Sequence, residues 1–450
     1  MLGPDSQATT LEPNQVEQPA NWKATFFTIW TGQAFSIIGS SVATFALVWW
    51  LTKLTGSATI LATATLVAML PGIIIGPFAG ACIDRWNRRW IMVIADGAVA
   101  LVSAWLAFLF WTGTIRIWHV YVISLARSVG GCFHWPAMQA STSLMVPKQH
   151  LTRVSGLNQT INGALNIISP PLGALLLSLL PMHAIMAIDV LTAAIAISPL
   201  LVIRIPQPPV RQSGKGEGAK PSLWQGLREG LAYVQGWPGV LAVMVITTIA
   251  NFLFNPAFSL LPILVSKHFG GQAVELGWIN SAWAAGTVAG GLVLGAWGGF
   301  RRRVVTSLVG LAGMAVGTLV IGLAPAEAFW LALAGMLLAG FMNPIGNGPL
   351  IATLQTVVAP DMQGRVFTLL GSAAGAMSPL SMAIAGPVAD ALGVRIWYIT
   401  AGVVCLALAV GSFFWPALMH VEDAPVKQAA NAVEDTQGAL LCAPTSDPPA

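Results

Sequence analysis

The sequence predicts an all-α integral membrane protein, with twelve transmembrane helices arranged as two six-helix halves. Three observations carry that expectation. The chain of 450 residues is 56% hydrophobic and only 8% charged, whereas soluble domains carry about 25% charged residues. Its apolar runs reach the length of about 20 residues that a helix needs to cross a bilayer. The runs also repeat, because landmarks in the first half return in the second at a nearly constant offset.

Residues 1–22 are polar and lack the basic start and cleavage site of a signal peptide, which predicts a cytoplasmic tail. Spans follow at roughly 24–51, 58–82, 90–112, 117–145, 154–180 and 183–203, a first bundle over 23–204. The linker 205–237 contains PQPPVRQSGKGEGAKPS. Beyond that stretch Leu223, Leu227 and Leu231 recur at helical spacing, which predicts a short amphipathic surface helix. A second bundle over 238–420 has spans at roughly 239–266, 275–298, 304–323, 328–358, 365–389 and 395–418. The tail 421–450 is rich in Ala, Pro and Asp and is expected to be disordered.

Charge sets the orientation. With the N-terminus inside, sixteen of the 21 Lys and Arg residues fall on the cytoplasmic side and four outside, with Arg127 within a span. Both termini are therefore expected in the cytoplasm of a cell whose plasma membrane holds the chain. The net charge of +4 lies in short loops, which excludes a nucleic-acid partner. Cys82, Cys132, Cys405 and Cys442 form no disulfide framework and no metal-ligand spacing. No nucleotide-binding loop G-x-x-x-x-G-K-[ST] is present, and the spans hold no catalytic cluster. The expectation is a protein that is not an enzyme and takes no cofactor and no metal.

The internal repeat has an offset of about 213 residues. Leu125-Ala-Arg127 matches Leu338-Ala-Gly340, Pro136 matches Pro349, and Pro147 matches Pro360. Two parallel six-helix repeats related by an axis along the membrane normal are a transporter architecture, with substrate bound near the midplane between them. A duplicated bundle without transport is the alternative.

Charge inside a membrane is costly, so each instance is a functional candidate. Arg127 lies about 14 Å into the fourth span and Asp189 about 9 Å into the sixth from the same side, at 1.5 Å per residue. They are close enough in depth to pair, either as a proton-coupling element or as a static ion pair that fixes packing. His134, two turns beyond Arg127, is a candidate proton relay or a helix contact beside Pro136. Asp96, near the cytoplasmic end of the third span, is expected to serve as a packing partner for the arginines of the loop before it.

Asparagine stripes at i, i+4 mark a candidate substrate cavity. They are Asn158, Asn162 and Asn166 in the fifth span, Asn251 and Asn255 in the seventh, and Asn343 and Asn347 in the tenth. Trp30, Phe252, Phe254, Trp283 and Phe341 accompany them. An apolar lining with scattered amides suits an amphipathic small molecule, although Asn also serves as glue between helices. Trp118, Trp330 and Trp397 at span ends read as interface anchors. Gly286, Gly290 and Gly291 predict close helix approach. Pro71, Pro136, Pro170, Pro349 and Pro379 predict places where spans can bend.

The loop Gly80-Ala-Cys-Ile-Asp84-Arg85-Trp-Asn-Arg88-Arg89 resembles the loop motif of the major facilitator superfamily, G-x-x-x-D-R-x-G-R-R/K, with Asn87 in place of a glycine. Asn tolerates the left-handed backbone that such a turn uses. Arg127 with Gly130 and Gly131 is similar to the family's motif in the fourth helix. Ser169-Pro-Pro-Leu-Gly173 resembles a degraded antiporter motif. Within the superfamily the chain is most similar to the macrolide-efflux permeases, on NWKATFFTIWTGQAFSIIGS, ARSVGGCFHWPAMQA, AIDVLTAAIA and GRVFTLLGS. The siderophore-exporter branch shares less. The resemblance covers roughly 22–420 and implies proton-driven export of drugs or secreted metabolites, by a chain expected to be monomeric. An uncoupled facilitator of the same fold remains the alternative.

The resemblance gives Gly80, Asp84, Arg85, Arg88, Arg89 and Asp96 a gating role on the cytoplasmic side. Asp84 would pair with arginines to hold one state, whereas the arginines alone would also satisfy the orientation rule. An Asp84→Asn protein that inserts at normal levels is expected to lose transport, measured as drug accumulation in cells. Full-rate transport by that variant would leave the loop with a topological role only.

Overall fold

The computed structural model describes residues 22–76, 78, 79, 83, 86–203, 205, 231, 234–358 and 360–423. The loop residues Gly80, Asp84 and Arg85, both tails and nearly all of the linker, Leu223 and Leu227 included, lie outside them. Twelve helices of 17 or more residues follow one another among the described residues. In the first half they are α1 (Trp22–Thr55), α2 (Ala58–Ile74), α3 (Arg88–Thr112), α4 (Ile117–Met145), α5 (Leu151–Leu179) and α6 (Met182–Val202). In the second they are α7 (Pro238–Ser259), α8 (Ala273–Trp297), α9 (Arg303–Leu323), α10 (Phe329–Val357), α11 (Pro360–Leu392) and α12 (Val394–Phe413).

Ten of the twelve are long and apolar enough to cross a membrane, which makes this a multi-pass membrane protein. The two others have local reasons. Helix α2 is 17 residues long with Pro71 inside it. Helix α4 has 29 residues but carries His119, Arg127 and His134 among its apolar positions. The seventh span ends sooner than its apolar run suggests. Helix α7 stops at Ser259, and Leu261–Ile263 and a π-helical turn at Leu264–His268 complete the run. Pro256 and Pro262 remove amide donors there, so the ladder cannot continue unbroken.

Asn87 behaves differently from the left-handed turn residue that the motif comparison suggests. Its φ is −67° and ψ 112°, an extended conformation, and its side chain accepts a hydrogen bond from the Arg89 N–H at 3.1 Å. It caps α3, an arrangement Asn favours because its short carbonyl reaches the free amides of the first turn. Trp397 also departs from expectation. Rather than anchoring at an interface, it is only 6% exposed and donates its indole N–H to the Leu253 carbonyl at 2.9 Å. Trp118 and Trp330 are exposed, as anchors are.

The chain packs as two compact units. The first comprises residues 1–43, 71–165 and 180–215, and the second 44–70, 166–179 and 216–450. In the first, Phe26, Ile29, Met92, Ala137, Met145 and Leu200 form a buried core. In the second, α8, α9 and α10 approach closely through glycine. A Cβ placed on Gly290 would overlap the Phe341 carbonyl, one on Gly286 the Leu337 carbonyl, and one on Gly340 the Trp283 carbonyl. Gly291 faces open space. Without hydrophobic expulsion from water to join helices in lipid, such backbone proximity supplies the attraction.

The second unit also holds the ends of α1 and α2 that meet near Gly56. There the Asp390 carboxylate accepts from the Ser57 hydroxyl at 2.7 Å, the Ala58 N–H at 2.7 Å and the Thr59 N–H at 2.9 Å. A residue of α11 thus caps the start of α2, where free amides and the helix dipole favour an anion. Lys53 at the same end donates to the Gly271 carbonyl at 3.2 Å.

Gly290→Ala is expected to destabilise the second unit by about 1–3 kcal/mol through overpacking, and Gly291→Ala to be nearly silent. Thermal unfolding midpoints of the two purified variants provide the check.

Candidate functional site

The first unit builds its charged centre from four helices. Asp189 on α6 is 1% exposed and Arg127 on α4 is 15% exposed, and the two form an ion pair. The carboxylate takes two further hydrogen bonds, from the Ser40 hydroxyl of α1 at 2.8 Å and the Ser103 hydroxyl of α3 at 2.6 Å. Arg127 also donates to the Ser40 carbonyl at 3.1 Å and to the Ser103 oxygen at 3.3 Å. Every oxygen of the acid is engaged, which is what makes a buried charge tolerable. Arg127 keeps one cost, since its Nε is buried without a partner among the described residues.

A second, looser acid lies at another level of the same helices. Asp96 on α3 accepts from the Gln33 amide of α1 at 3.0 Å. The His134 Nε2 of α4 lies 3.3 Å from its other oxygen, without the alignment of a hydrogen bond. These described contacts differ from the expected pairing of Asp96 with the loop arginines. The reason is rotational: Asp96 sits two turns into α3 and faces α1 and α4. Arg88 and Arg89 instead reach backbone carbonyls. Arg88 donates to the Ala140 carbonyl at 2.8 Å. Arg89 donates to the carbonyls of Leu200 and Leu201 at the end of α6, where the helix dipole favours a cation.

Helices α1 and α4 therefore each touch both acids. Gln33 and Ser40 are seven residues apart on α1, and Arg127 and His134 seven apart on α4. That spacing is two turns, or about 10.5 Å along the axis.

Gln33 and His134 also line a cavity of about 100 Å³ together with Trp30, Trp135, Met138 and Asn158. Trp30 donates its indole N–H to Asn158 at 2.6 Å. Asn162 and Asn166 are helical, but their side chains are outside the described set.

The second unit holds a larger cavity of about 290 Å³, lined by Asn251, Asn255, Trp283, Asn343 and Asn347 among others. Phe252 and Phe341, two aromatic residues assigned to the cavity from sequence, are not in the lining of this one. Phe252 packs toward Trp397, ring centroids 6.3 Å apart. Phe341 presses its backbone against Gly286 and Gly290. Spacing places them near the asparagines, but a helix turns by 100° per residue, so an immediate neighbour shows another face. Phe254, expected beside the asparagines, lines this cavity, and so do Phe258 and Ser307. The first two lie three residues from Asn251 and Asn255, a signal that was legible. Nothing in the sequence pattern marks Ser307. No group of three or more His, Cys, Asp or Glu is arranged to hold a metal among the described residues.

Twelve helices, the two-half repeat and a charge pair sealed among four helices define a membrane transporter of major facilitator type rather than an enzyme. Residues 19–440 match the family described as transmembrane secretion effector, and the chain belongs to that family. It is 32% identical to macrolide efflux protein A of Streptococcus pyogenes over 395 residues, covering 88% of this chain and 96% of that one. It is 26% identical to the multidrug efflux pump Tap of Mycolicibacterium fortuitum, over 85% and 94% of the two chains. Its fold is similar to the inward-facing, unoccupied structure of a bacterial homologue of the human lysosomal transporter Spinster. That match has a TM-score of 0.68 and 12% identity, over 91% of this chain and 99% of the other. A bacterial ferroportin homologue in the inward-facing state matches with a TM-score of 0.66 and 11% identity, over 86% and 98%.

Removing one partner of the Arg127–Asp189 pair strands a buried charge, a loss on the order of 3 kcal/mol or more. Asp189→Leu alone and Arg127→Leu alone are each expected to lower the amount of folded protein in the membrane. The double replacement is expected to restore it. Quantitative immunoblots of membrane fractions, with unfolding midpoints of purified protein, supply the measurement.

Proposed function

We propose that the chain is a secondary active exporter, moving macrolide-like or other amphipathic compounds out of the cytoplasm by alternating access in exchange for protons. Both termini lie in the cytoplasm in this reading, the chain acts as a monomer in the cell membrane, and it needs no cofactor. The direction and the drug class rest on the efflux activities for which the macrolide and multidrug relatives are named. The observation that supports proton coupling is the two-level arrangement in which α1 and α4 each contact both acids, Asp96 of α3 and Asp189 of α6.

The two acids have different parts in this mechanism. Asp96 and His134 meet beside a cavity and lack a completed hydrogen bond, so a proton can arrive and leave there. An imidazole nitrogen can both accept and donate a proton, which suits the exchange. The Arg127–Asp189 pair is closed off by two serines and holds α1, α3, α4 and α6 in one packing. A change in charge at Asp96 alters what Gln33 and His134 bond to. The same two helices carry Ser40 and Arg127, so the change reaches the buried pair as a shift of α1 against α4. A ligand or proton biases such an equilibrium only through its different affinity for the two states.

Asparagine-lined cavities in both units supply the surface for an amphipathic compound. The gating role of Gly80, Asp84, Arg85, Arg88 and Arg89 belongs to the same proposal. The carbonyl contacts of Arg88 and Arg89 are compatible with a loop fastened to its own bundle. Export of a siderophore or another secondary metabolite is the second reading, supported by the family's description as secretion effectors.

The test is accumulation of a labelled macrolide in a pump-deficient bacterial host expressing the chain, with and without a protonophore. Low accumulation that the protonophore abolishes is the expected result. Asp96→Asn is expected to flatten the dependence of export on external pH while protein levels hold. Unchanged accumulation with protein present in the membrane would reject macrolides as substrates. Export that persists without a proton gradient would make the chain a facilitator.

A further inference from the structure

We infer that the cavity of the second unit is a subsite for an uncharged, hydroxyl-bearing ring of the transported compound, and that Ser307 reads its polar atom. The inference rests on the export reading only for the identity of the compound. The cavity itself is a separate claim.

Three observations converge on it. Ser307, one turn into α9, is 6% exposed, lines the cavity, and its hydroxyl has no hydrogen-bond partner among the described residues. Its neighbours in the bundle behave otherwise. Thr248, Thr287 and Thr318 each return their hydroxyl to the carbonyl four residues back, at 2.7, 2.9 and 2.9 Å, the usual resolution for a hydroxyl in an apolar helix. A buried hydroxyl left unmatched is costly, so this one is expected to meet a partner inside the cavity.

The lining sets the partner's charge. No described residue lining the cavity carries an ionisable group, and an ion entering such a space would lose its hydration without compensation. Two charged groups beside Val304 are engaged elsewhere. Glu422 accepts from the Val304 N–H at 2.7 Å and lies 3.5 Å from the Thr353 hydroxyl. Arg303 donates to the Ala352 carbonyl and the Thr356 hydroxyl, both at 3.4 Å. What remains is neutral. Asn251 directs an amide N–H to the Thr247 carbonyl at 2.9 Å, Asn255 one to Ser378 at 2.8 Å, and Asn347 one to the Asn343 carbonyl at 3.1 Å. Asn251 and Asn347 each keep a further N–H, Asn255 gives its second to the Asn251 side-chain oxygen at 3.5 Å, and all three keep acceptor capacity, which a hydroxyl satisfies. Phe254, Phe258 and Trp283 supply the apolar face of the slot.

Size narrows the ligand further. The volume of about 290 Å³ is at the lower limit of drug-sized pockets, about 300–1,000 Å³. It suits one hydroxylated ring of a larger molecule and not the whole.

Ser307→Cys in the otherwise native chain, in lipid nanodiscs, makes the cavity measurable. The probes are neutral methyl methanethiosulfonate and its cationic trimethylammonium-ethyl analogue, each scaled to its rate with a small thiol in water. Modification at position 307 is read by mass spectrometry. The neutral reagent is expected to react at least about tenfold faster, in keeping with the cost of bringing a charge into such a lining. Equal rates would mean a water-filled opening, and no reaction with either a sealed void; both overturn the inference. Leu311→Cys, one turn further along the same wall, serves if the first variant does not fold.

A functional arm isolates the hydroxyl. Ser307→Thr keeps it, whereas Ser307→Val has nearly the same shape without it. In the macrolide accumulation assay the valine variant is expected to lose about three- to tenfold in apparent affinity, the effect of one hydrogen bond. The threonine variant is expected to retain affinity. Equal behaviour of the two in a chain that exports macrolide overturns the role of Ser307. A chain that exports no macrolide but labels in the expected order loses the export reading and keeps the subsite.

Discussion

The Asp189 carboxylate is the constraint on which the first half of the molecule depends. It collects a guanidinium from α4 and hydroxyls from α1 and α3 while sitting on α6. No water competes for these groups inside a bilayer, so each unmade bond would cost more than it does at a surface. The arrangement therefore fixes the rotation of four helices at once. Small residues follow from it. A Cβ on Gly39 would overlap the Thr192 hydroxyl, so α1 can lie close enough to α6 for Ser40 to reach the acid.

Rotation of α1 and α4 about their own axes is then settled at a second level. Gln33 and His134 must face Asp96 once Ser40 and Arg127 face Asp189, because two turns of a helix return a side chain to nearly the same face. The more buried acid is saturated with partners and the other is not. In the proposed exporter, that difference would separate a structural charge from an exchangeable one. It also explains why a chain so poor in charge retains these residues within its spans.

The second half meets the same packing problem with no ion pair among its described residues. Gly340 occupies the repeat position equivalent to Arg127, and α8, α9 and α10 close on one another through glycine. Polar groups there are amides and hydroxyls, which return to nearby backbone or face the cavity. The interiors differ in kind, one built round an ion pair and the other round amides, hydroxyls and glycine. The Asp390 cap on α2 adds a third kind of contact, an anion answering the free amides of a helix start.

The sequence by itself determined the fold class and the helix limits. Hydropathy is a one-dimensional property, and a bilayer converts a run of about 20 apolar residues directly into a helix. The predicted limits fall within a few residues of the observed ones except where prolines break α7 and where α2 stops at Ile74. Depth along the membrane was also legible, which is why Arg127 and Asp189 were recognisable as partners. Rotation was not. Whether Asp96 faces the loop arginines or His134, whether Phe252 or Phe254 lines a cavity, and whether Trp397 is buried depend on which neighbour each helix face meets. Only tertiary packing decides that, through close backbone approaches and long-range hydrogen bonds between residues far apart in the chain. The orphan hydroxyl of Ser307 is the extreme case, since its lack of a partner is a property of the assembled bundle and of no sequence pattern.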